Sequence, residues 1–340
     1  MKQQLDLGSK LVIVGSHNSV LAQKAAHSIG CDLISFTQAH FSDTESTIIL
    51  EREQDIAGAS VLLFFQFYSQ HAQAYINNQL FDLLLITQML KQLGAVKISL
   101  VLPYLPYARQ EKNTQSGAIV FGHLIQQAGA DELIVLDVHT EKLLSLMPIP
   151  LHTLSLTHVW KSVYADFIGQ DQEQICLVSP DVGGCQRVQD LQDLLQNYAG
   201  VTECSSAFIK KTRDVDGKPR VLDLVGDVTG KIVFLIDDIV DTAQTAIRAC
   251  DLLLERGALK VIGFFSHAVL SSQAYEKLKV SKFERIFLTD TLVYDSSVFD
   301  KKYTVISIHD FLVQALVKAL NNTNVYLTVV PRDAKHRLEG

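Results

Sequence analysis

An acid pair followed by hydroxyl-bearing residues stands directly after an apolar segment in the second half of the sequence. Residues 233–236 are apolar, and Asp237 and Asp238 follow them. Thr242 and Thr245 lie in the short loop before a helical pattern. Backbone N–H groups at a helix start, helped by threonine hydroxyls, can hold a phosphate. The carboxylates repel phosphate but accept hydrogen bonds from sugar hydroxyls. The segment therefore predicts a sugar-phosphate site, with an N-cap beside a solvated acid pair as the alternative.

Two cations stand in a second polar segment. Lys211 and Arg213 follow the apolar residues 207–209 and precede the polar residues 214–219, for which we predict a mobile loop. Cations on such a loop can close over a transferring phosphoryl-type group and stabilise its charge. The alternative is a solvated basic hairpin, which is the usual role of such a run.

The segment Ser-Pro-Asp-Val-Gly-Gly, residues 179–184, follows another apolar stretch. Its Asp181 supplies the hard oxygen that Mg²⁺ prefers, and Mg²⁺ needs few protein ligands because it keeps several waters. The two glycines allow the backbone to approach a phosphate closely. The segment is therefore a turn whose backbone can approach a phosphate and whose carboxylate is a hard oxygen donor.

Apolar, β-rich segments alternate with helical patterns along most of the chain, and these elements must position the polar segments. Strands are predicted at residues 10–14, 61–67, 96–102, 132–137, 175–178, 207–209, 231–236, 260–266, 285–288 and 304–308. Helices are predicted at residues 20–28, 77–93, 119–127, 185–195, 245–256 and 309–320. Strands that are apolar on both faces and alternate with helices indicate mostly parallel sheets covered by helices. In such sheets, ligands bind beyond the carboxyl ends of the strands, where the polar segments stand.

The pattern restarts after residues 148–150, which predicts two α/β domains. We expect an N-terminal domain at 1–152, a C-terminal domain at 153–308, and a segment at 309–340 whose helix packs at the domain junction.

Composition excludes several classes of protein. The 340 residues are 48% hydrophobic and 20% charged, which is typical of a globular chain and not of a disordered one. The net charge of -7 argues against a nucleic-acid binder. The five cysteines are scattered without a Cys-x-x-Cys pair, so we expect neither disulfides nor a zinc site. The apolar stretches are too short to span a bilayer, and we expect a cytoplasmic protein without a membrane partner.

The segment around Asp237 resembles the ribose 5-phosphate loop shared by type I phosphoribosyltransferases and ribose-phosphate pyrophosphokinases, also called phosphoribosyl pyrophosphate synthetases. Four further segments resemble synthetase segments, in the right order, between about residues 10 and 320: His-Phe-Ser-Asp-Thr-Glu at 40–45, Pro-Tyr-Leu-Pro-Tyr-Ala-Arg-Gln at 103–110, Asp-Val-His at 137–139 and the turn at 179–184. Since transferases have a single such domain, the chain length also favours the synthetase. The resemblance implies two tandem phosphoribosyltransferase-like domains, each a mostly parallel sheet flanked by helices.

The resemblance also implies an activity and a set of site residues. The family transfers the β,γ-diphosphoryl group of ATP to the anomeric hydroxyl of ribose 5-phosphate, with Mg²⁺ as cofactor, giving phosphoribosyl pyrophosphate and AMP. The implied catalytic residues are Lys211 and Arg213, and the implied metal-linked residues are His139 and Asp181. The implied ATP-binding residues are Phe41, Asp43, Glu45, Arg109 and Gln110. The implied ribose 5-phosphate residues are Asp237, Asp238, Asp241, Thr242, Ala243, Gln244 and Thr245.

Simple chemistry supports these roles, and each has a structural alternative. An aromatic face such as that of Phe41 can stack on adenine, although packing in a core is the alternative. Arg109 can hold phosphate oxygens through parallel hydrogen bonds. A lone histidine such as His139 is more often a hydrogen-bonded structural residue. In the family, the hairpin at 41–45 reaches the active site of a neighbouring subunit, so the resemblance implies a homo-oligomer, most often dimers assembled into hexamers.

The chain departs from the family pattern at several positions. Thr44 and Gln244 stand where the family usually has glycine, and either residue would be strained if its position requires positive φ. His40 replaces arginine, and residues 111–114 are less basic than usual. Two alternatives therefore stay open beside the synthetase: a catalytically weak regulatory homologue that binds an active synthetase, and a type I phosphoribosyltransferase. The retained acids, loop hydroxyls and Lys-x-Arg pair argue against the first.

Overall fold

The structure is a computed structural model that describes residues 10–43, 45–69, 76–109, 117–138, 145–168, 175–199, 204–213, 219–271, 273–295, 297, 299–320 and 328–329. These residues form two compact units. The first unit takes the described parts of Met1–Tyr68, Ala74–Leu154 and His309–Gly340, and the second takes those of Ser69–Gln73 and Ser155–Ile308.

The elements alternate between strands and helices, as the apolar pattern predicts. The strands are β1 (Leu11–Ser16), β2 (Asp32–His40), β3 (Ser46–Leu50), β4 (Ser60–Phe64), β5 (Lys97–Leu102), β6 (Glu132–Leu136), β7 (Leu151–Leu154), β8 (Ile175–Ser179), β9 (Ser205–Arg213), β10 (Pro219–Val225), β11 (Ile232–Val240), β12 (Lys260–Ala268), β13 (Arg285–Thr289), β14 (Tyr303–Ile306) and β15 (Thr328–Val329). The helices are α1 (Val20–Ile29), α2 (Ile76–Gln92), α3 (Gly117–Gln127), α4 (Thr157–Ile168), α5 (Cys185–Ala199), α6 (Gln244–Glu255), α7 (Ala274–Val280) and α8 (His309–Leu320).

The described part of the first unit contains an eight-stranded sheet in the order β15-β7-β6-β5-β4-β1-β2-β3. Its central strands are parallel, while β3 and β15 run antiparallel to their neighbours at the two edges. Every residue of β4 and of β6 is buried, as expected for a parallel sheet covered on both faces. The helix α8 packs against α1 in this unit.

The described part of the second unit contains a seven-stranded sheet in the order β10-β9-β8-β11-β12-β13-β14. All neighbours are parallel except β9 and β10, which form an antiparallel hairpin at one edge. An aromatic cluster packs α4 onto the sheet, with the Tyr164 ring centroid 4.7 Å from that of Phe264 and 5.1 Å from that of Phe234. Because β11 pairs in parallel with both β8 and β12, the carboxyl ends of these three strands lie at the same edge of the sheet.

The predicted fold class is confirmed, because both sheets are mostly parallel and flanked by helices. Several predicted boundaries differ from those of the structure, and two of the differences affect the polar segments. The strand predicted at 231–236 continues to Val240, and the strand at 207–209 continues to Arg213, because pairing with a neighbouring strand extends each one through polar residues. The predicted domain boundaries and the packing of residues 309–340 at the domain junction stay predictions. No helix among the described residues is long and apolar enough to cross a membrane.

A buried ionic cluster lies at the amino ends of the central strands in the first unit. Glu132 begins β6, and its carboxylate lies 3.0 Å from Lys97 Nζ and 3.4 Å from His152 Nε2. Ser99 Oγ donates a hydrogen bond of 2.5 Å to the same carboxylate. Burial alone raises the pKa of Glu132, but the nearby His152 ring, the hydrogen bond from Ser99 and the Lys97 charge lower it to about 2. The folded state therefore favours the ionised carboxylate.

This cluster predicts a loss of stability in acid. The pKa of Glu132 is lower in the folded chain than the usual 4.5, so its contribution is complete above about pH 4.5 and is lost as the pH falls toward 2. A shift of this size corresponds to roughly 3 kcal/mol. We expect the free energy of unfolding, measured by urea titration between pH 3 and 7, to fall less steeply with acid in E132Q than in the unaltered chain.

The exposed Glu53 supplies the control for this measurement, because E53Q removes a carboxylate of the same type from the surface. E53Q should keep the acid dependence of the unaltered chain. Equal slopes for E132Q and E53Q would show that the cluster does not set the acid stability.

Candidate active site

The acid pair lies at the carboxyl end of β11, between the parallel strands β8 and β12. Asp238 is buried, with 3% of its surface exposed, and Asp237 is partly buried. The backbone N–H of Asp238 donates to Asp237 Oδ1 at 3.0 Å. Two carboxyl groups are thus held close together where an open parallel sheet binds its ligands.

The charges around this pair are only partly balanced. Burial raises the pKa of Asp237, and the negative charge of neighbouring Asp238 raises it further. Asp181 adds to this effect, whereas the Arg187 guanidinium opposes it. Arg187 Nη2 lies 3.6 Å from Asp238 Oδ2. This edge of the sheet therefore gathers three carboxyl groups around one arginine.

The loop after β11 forms a cradle that faces solvent. Asp241 accepts a hydrogen bond from Ser271 Oγ, which holds the start of the loop. Thr242 and Thr245 are exposed, and α6 begins at Gln244. The first N–H groups of α6 and these two hydroxyls can therefore donate to a phosphate.

The strain expected at Gln244 falls on its neighbour. Ala243 has a φ of 62° and serves as the N-cap of α6, whereas Gln244 is absent from the described non-glycine residues with positive φ. Gln244 is the first residue of the helix, and its side chain is exposed. Replacing the family glycine at this position therefore leaves the loop backbone intact.

The Ser-Pro-Asp-Val-Gly-Gly turn follows β8 at the same edge as the acid pair. Ser179 Oγ donates to the Asp181 carbonyl oxygen at 2.7 Å, and the Gly184 N–H donates to Asp181 Oδ1 at 3.2 Å. A Cβ atom on Gly184 would overlap Ser179 Oγ. The turn is thus a closed arrangement that admits no side chain at its last position.

The two candidate catalytic cations, Lys211 and Arg213, lie within the strand β9. The prediction that they follow the strand is therefore wrong. Lys211 pairs with Leu222 and Arg213 pairs with Pro219 across the β9–β10 hairpin. The strand β9 neighbours β8, which carries the turn of Asp181. The predicted mobile loop falls mostly on residues 214–218, which lie outside the described residues.

The candidate adenine hairpin is the turn between β2 and β3 in the first unit. The Phe41 N–H donates to the Glu45 carbonyl oxygen at 2.9 Å, and the Glu45 N–H donates to Asp43 Oδ1 at 3.1 Å. The Phe41 side chain is 60% exposed, so the alternative of core packing is wrong. An exposed aromatic ring beside two carboxylates can stack on a base and accept from its amino group. Thr44 lies outside the described residues.

The described part of the second candidate nucleotide segment, residues 103–109, ends at the exposed Arg109. Two residues earlier, Tyr107 has a φ of 62°, and its hydroxyl donates to Asn77 Oδ1 at 2.6 Å. Asp137, which precedes the predicted ligand His139, also has a positive φ of 38°. Non-glycine residues in this region cost about 1–3 kcal/mol and concentrate at functional sites. Gln110 and His139 lie outside the described residues.

The sequence analysis missed three supporting residues. Arg187 pairs with Asp238, Ser271 holds Asp241, and Asn77 holds Tyr107. Only Arg187 carried a signal in the sequence, because a cation three residues after Gly184 lies in the first turn of the helix that follows the turn. No group of three His, Cys, Asp or Glu side chains in the described part of the chain is arranged to hold a metal.

The closed turn gives a prediction about Gly184. G184A should lower the free energy of unfolding by about 1–3 kcal/mol, because the new methyl group overlaps Ser179 Oγ. The control is the pair of variants S179A and S179A/G184A, measured in the same urea titrations. The double variant should be no less stable than S179A alone, since the overlapping hydroxyl is gone. Additive losses would contradict the steric explanation.

Two regions of the chain match known family models. Residues 10–129 match the family described as the N-terminal domain of ribose phosphate pyrophosphokinase. Residues 198–327 match the family described as the phosphoribosyl synthetase-associated domain.

Individual relatives align with nearly the whole chain. The ribose-phosphate pyrophosphokinase of Oceanobacillus iheyensis is 31% identical, with 88% of this chain and 91% of the relative covered. The ribose-phosphate pyrophosphokinase 1 of Streptococcus pyogenes is 33% identical, with 89% and 92% covered. The crystal structure of phosphoribosylpyrophosphate synthetase from Mycobacterium smegmatis is similar with a TM-score of 0.79 and 26% identity, covering 92% of this chain and 100% of that one.

Proposed function

The chain belongs to the ribose-phosphate pyrophosphokinase family, and from this premise we propose how its residues perform the reaction. It transfers the β,γ-diphosphoryl group of ATP to the anomeric hydroxyl of ribose 5-phosphate. One observation carries this function. The acids Asp237 and Asp238 lie in the same short segment as the exposed hydroxyls of Thr242 and Thr245 at the start of α6.

The loop from Asp237 to Thr245 binds ribose 5-phosphate in this proposal. The N–H groups that open α6 and the two threonine hydroxyls hold the 5-phosphate. The carboxylates of Asp237 and Asp238 accept hydrogen bonds from the ribose hydroxyls, and Asp241 is held by Ser271 at the edge of the loop. The separation of acids from phosphate donors orients the sugar, because each end of the substrate fits only one end of the loop.

The chemical step is a displacement at the β-phosphorus of ATP. The anomeric oxygen forms a bond to this phosphorus, the bond between the phosphorus and the α,β-bridging oxygen breaks, and AMP leaves with that oxygen. The hydroxyl proton passes to water. Such transfers depend on positioning and on neutralising charge. We assign the second of these roles to Lys211 and Arg213, the cations on β9.

Mg²⁺ fits the donors at this edge of the sheet, and we propose it as the cofactor. The carboxylate of Asp181 is a hard oxygen donor held by Gly184, and Mg²⁺ needs few protein ligands. His139 is the second proposed metal-linked residue. When bound, the ion neutralises phosphate charge.

ATP binding is proposed for the first unit. Phe41 supplies an exposed ring for stacking, Asp43 and Glu45 supply acceptors, and Arg109 and Gln110 supply donors to the phosphates. The exposed hairpin tip also supports the proposal that the enzyme is a homo-oligomer in which this hairpin contacts a neighbouring subunit. We place the enzyme in the cytoplasm, where its five cysteines stay as free thiols.

One assay tests the function against both alternatives. The purified chain, given ATP, ribose 5-phosphate and Mg²⁺, should form AMP and phosphoribosyl pyrophosphate in equal amounts, as measured by chromatography. Omitting ribose 5-phosphate should abolish AMP formation. A regulatory homologue would form AMP no faster than this control. A phosphoribosyltransferase would instead consume phosphoribosyl pyrophosphate and a nucleobase.

The assigned role of Lys211 predicts a selective loss of turnover. K211A should lower kcat by about 100-fold or more while the KM for ATP changes by less than about 3-fold, because the lost interaction belongs to the transition state. K210A is the matched control, since Lys210 is the adjacent lysine of the same strand and is exposed. Its kcat should stay close to that of the unaltered enzyme. Equal losses in both variants, or a loss of ATP affinity with kcat retained, would contradict the assignment.

A further inference from the structure

Arg187 forms an ion pair with Asp238 in the interior of the second unit. The two side chains are 17% and 5% exposed, and Arg187 Nη2 lies 3.6 Å from Asp238 Oδ2. A pair shielded in this way behaves differently from a surface pair, because removing one partner leaves a buried charge uncompensated. Asp238 is also one of the two acids proposed to contact the ribose hydroxyls. The pair therefore links α5 to the proposed substrate loop.

The position of Arg187 is fixed by the turn that precedes it. The Gly184 N–H is held by Asp181, and the Val188 N–H donates to the Gly184 carbonyl oxygen at 3.2 Å. Gly184 has no room for a side chain against Ser179. The first turn of α5 thus starts at one defined place, and Arg187 is carried by that turn. The ion pair with Asp238 then orients the guanidinium.

The charge of Arg187 is placed where anionic substrates need it. Asp181, Asp237 and Asp238 share this edge of the sheet, and their combined charge repels a sugar phosphate. The Arg187 guanidinium acts against that charge on Asp237 as well as on its direct partner. The residue is therefore suited both to orient one carboxylate and to reduce the negative potential of the loop.

We infer that Arg187 is a positioning residue for ribose 5-phosphate, acting through Asp238. It holds the Asp238 carboxylate in the orientation that accepts hydrogen bonds from the ribose hydroxyls. This inference rests on the proposed function, because it assumes that the loop beside Asp238 receives the sugar phosphate. It predicts an effect on the affinity for the sugar and little effect on ATP.

The test is a double-mutant cycle in the full-length chain. R187M, D238N and the double variant are compared with the unaltered enzyme for kcat and for the KM of each substrate, and calorimetry measures the affinity for ribose 5-phosphate. R187M should raise the KM for ribose 5-phosphate by about 10-fold with less than about a 2-fold change for ATP. The double variant should be no worse than D238N alone, because Arg187 acts through Asp238. R187K should restore most of the affinity.

The control is R256M, because Arg256 also pairs with an aspartate, Asp223, at 3.4 Å, but both side chains are about half exposed. R256M should bind ribose 5-phosphate as the unaltered chain does. Equal rises in both KM values for R187M, multiplied losses in the double variant, or no rescue by lysine would overturn the inference. If R187M does not fold, R187K carries the test, with a rise of about 3-fold confined to ribose 5-phosphate.

The two proposals fail in different ways. If the unaltered chain binds ribose 5-phosphate but forms no AMP, the proposed reaction is wrong, and the calorimetric comparison of R187M with R256M still decides the role of Arg187. If the unaltered chain does not bind ribose 5-phosphate, both proposals are overturned. Normal activity with an unchanged KM in R187M overturns only the inference.

Discussion

Repulsion between like charges is the constraint that shapes the second unit. The carboxyl ends of β8 and β11 bring three acidic side chains to one edge of the sheet, beside a helix start suited to hold a phosphate. An edge with this much negative charge would repel an anionic ligand. The arrangement resolves the conflict by separating acids from N–H donors along one loop and by placing Arg187 behind Asp238. The catalytic proposal depends on this division of charge.

The sequence predicts the fold class and most strands because a strand covered on both faces is buried throughout and mostly apolar, as β4, β6 and β8 are. It fails where pairing overrides composition. The end of β9 is polar, and β10 begins with a proline, so neither reads as a strand until the two are paired. The strands β2 and β3 are also not predicted from the apolar pattern, because many of their residues are only partly buried or exposed.

The sequence predicts those parts of the candidate site whose functional residues are close together in the chain. The loop from Asp237 to Thr245 and the turn at Asp181 are visible because each follows its own strand within a few residues. The supporting contacts are not visible, because Ser271 reaches Asp241 across 30 residues and Tyr107 reaches Asn77 across 30 residues. The positive φ falls on Ala243 and not on Gln244 because α6 begins at Gln244. The sequence does not specify that starting point.

The first unit is assembled from separated parts of the chain, and this affects how the protein is made. Its last helix, α8, packs on α1, and Lys24 contacts Asp310 across 286 residues of sequence. The second unit is nearly continuous from Ser155 to Ile308. During synthesis, the second unit can complete its core while the first still lacks a covering helix. The nascent first unit therefore exposes apolar surface until α8 has been synthesised and packs on α1, and exposed apolar surface promotes aggregation during folding.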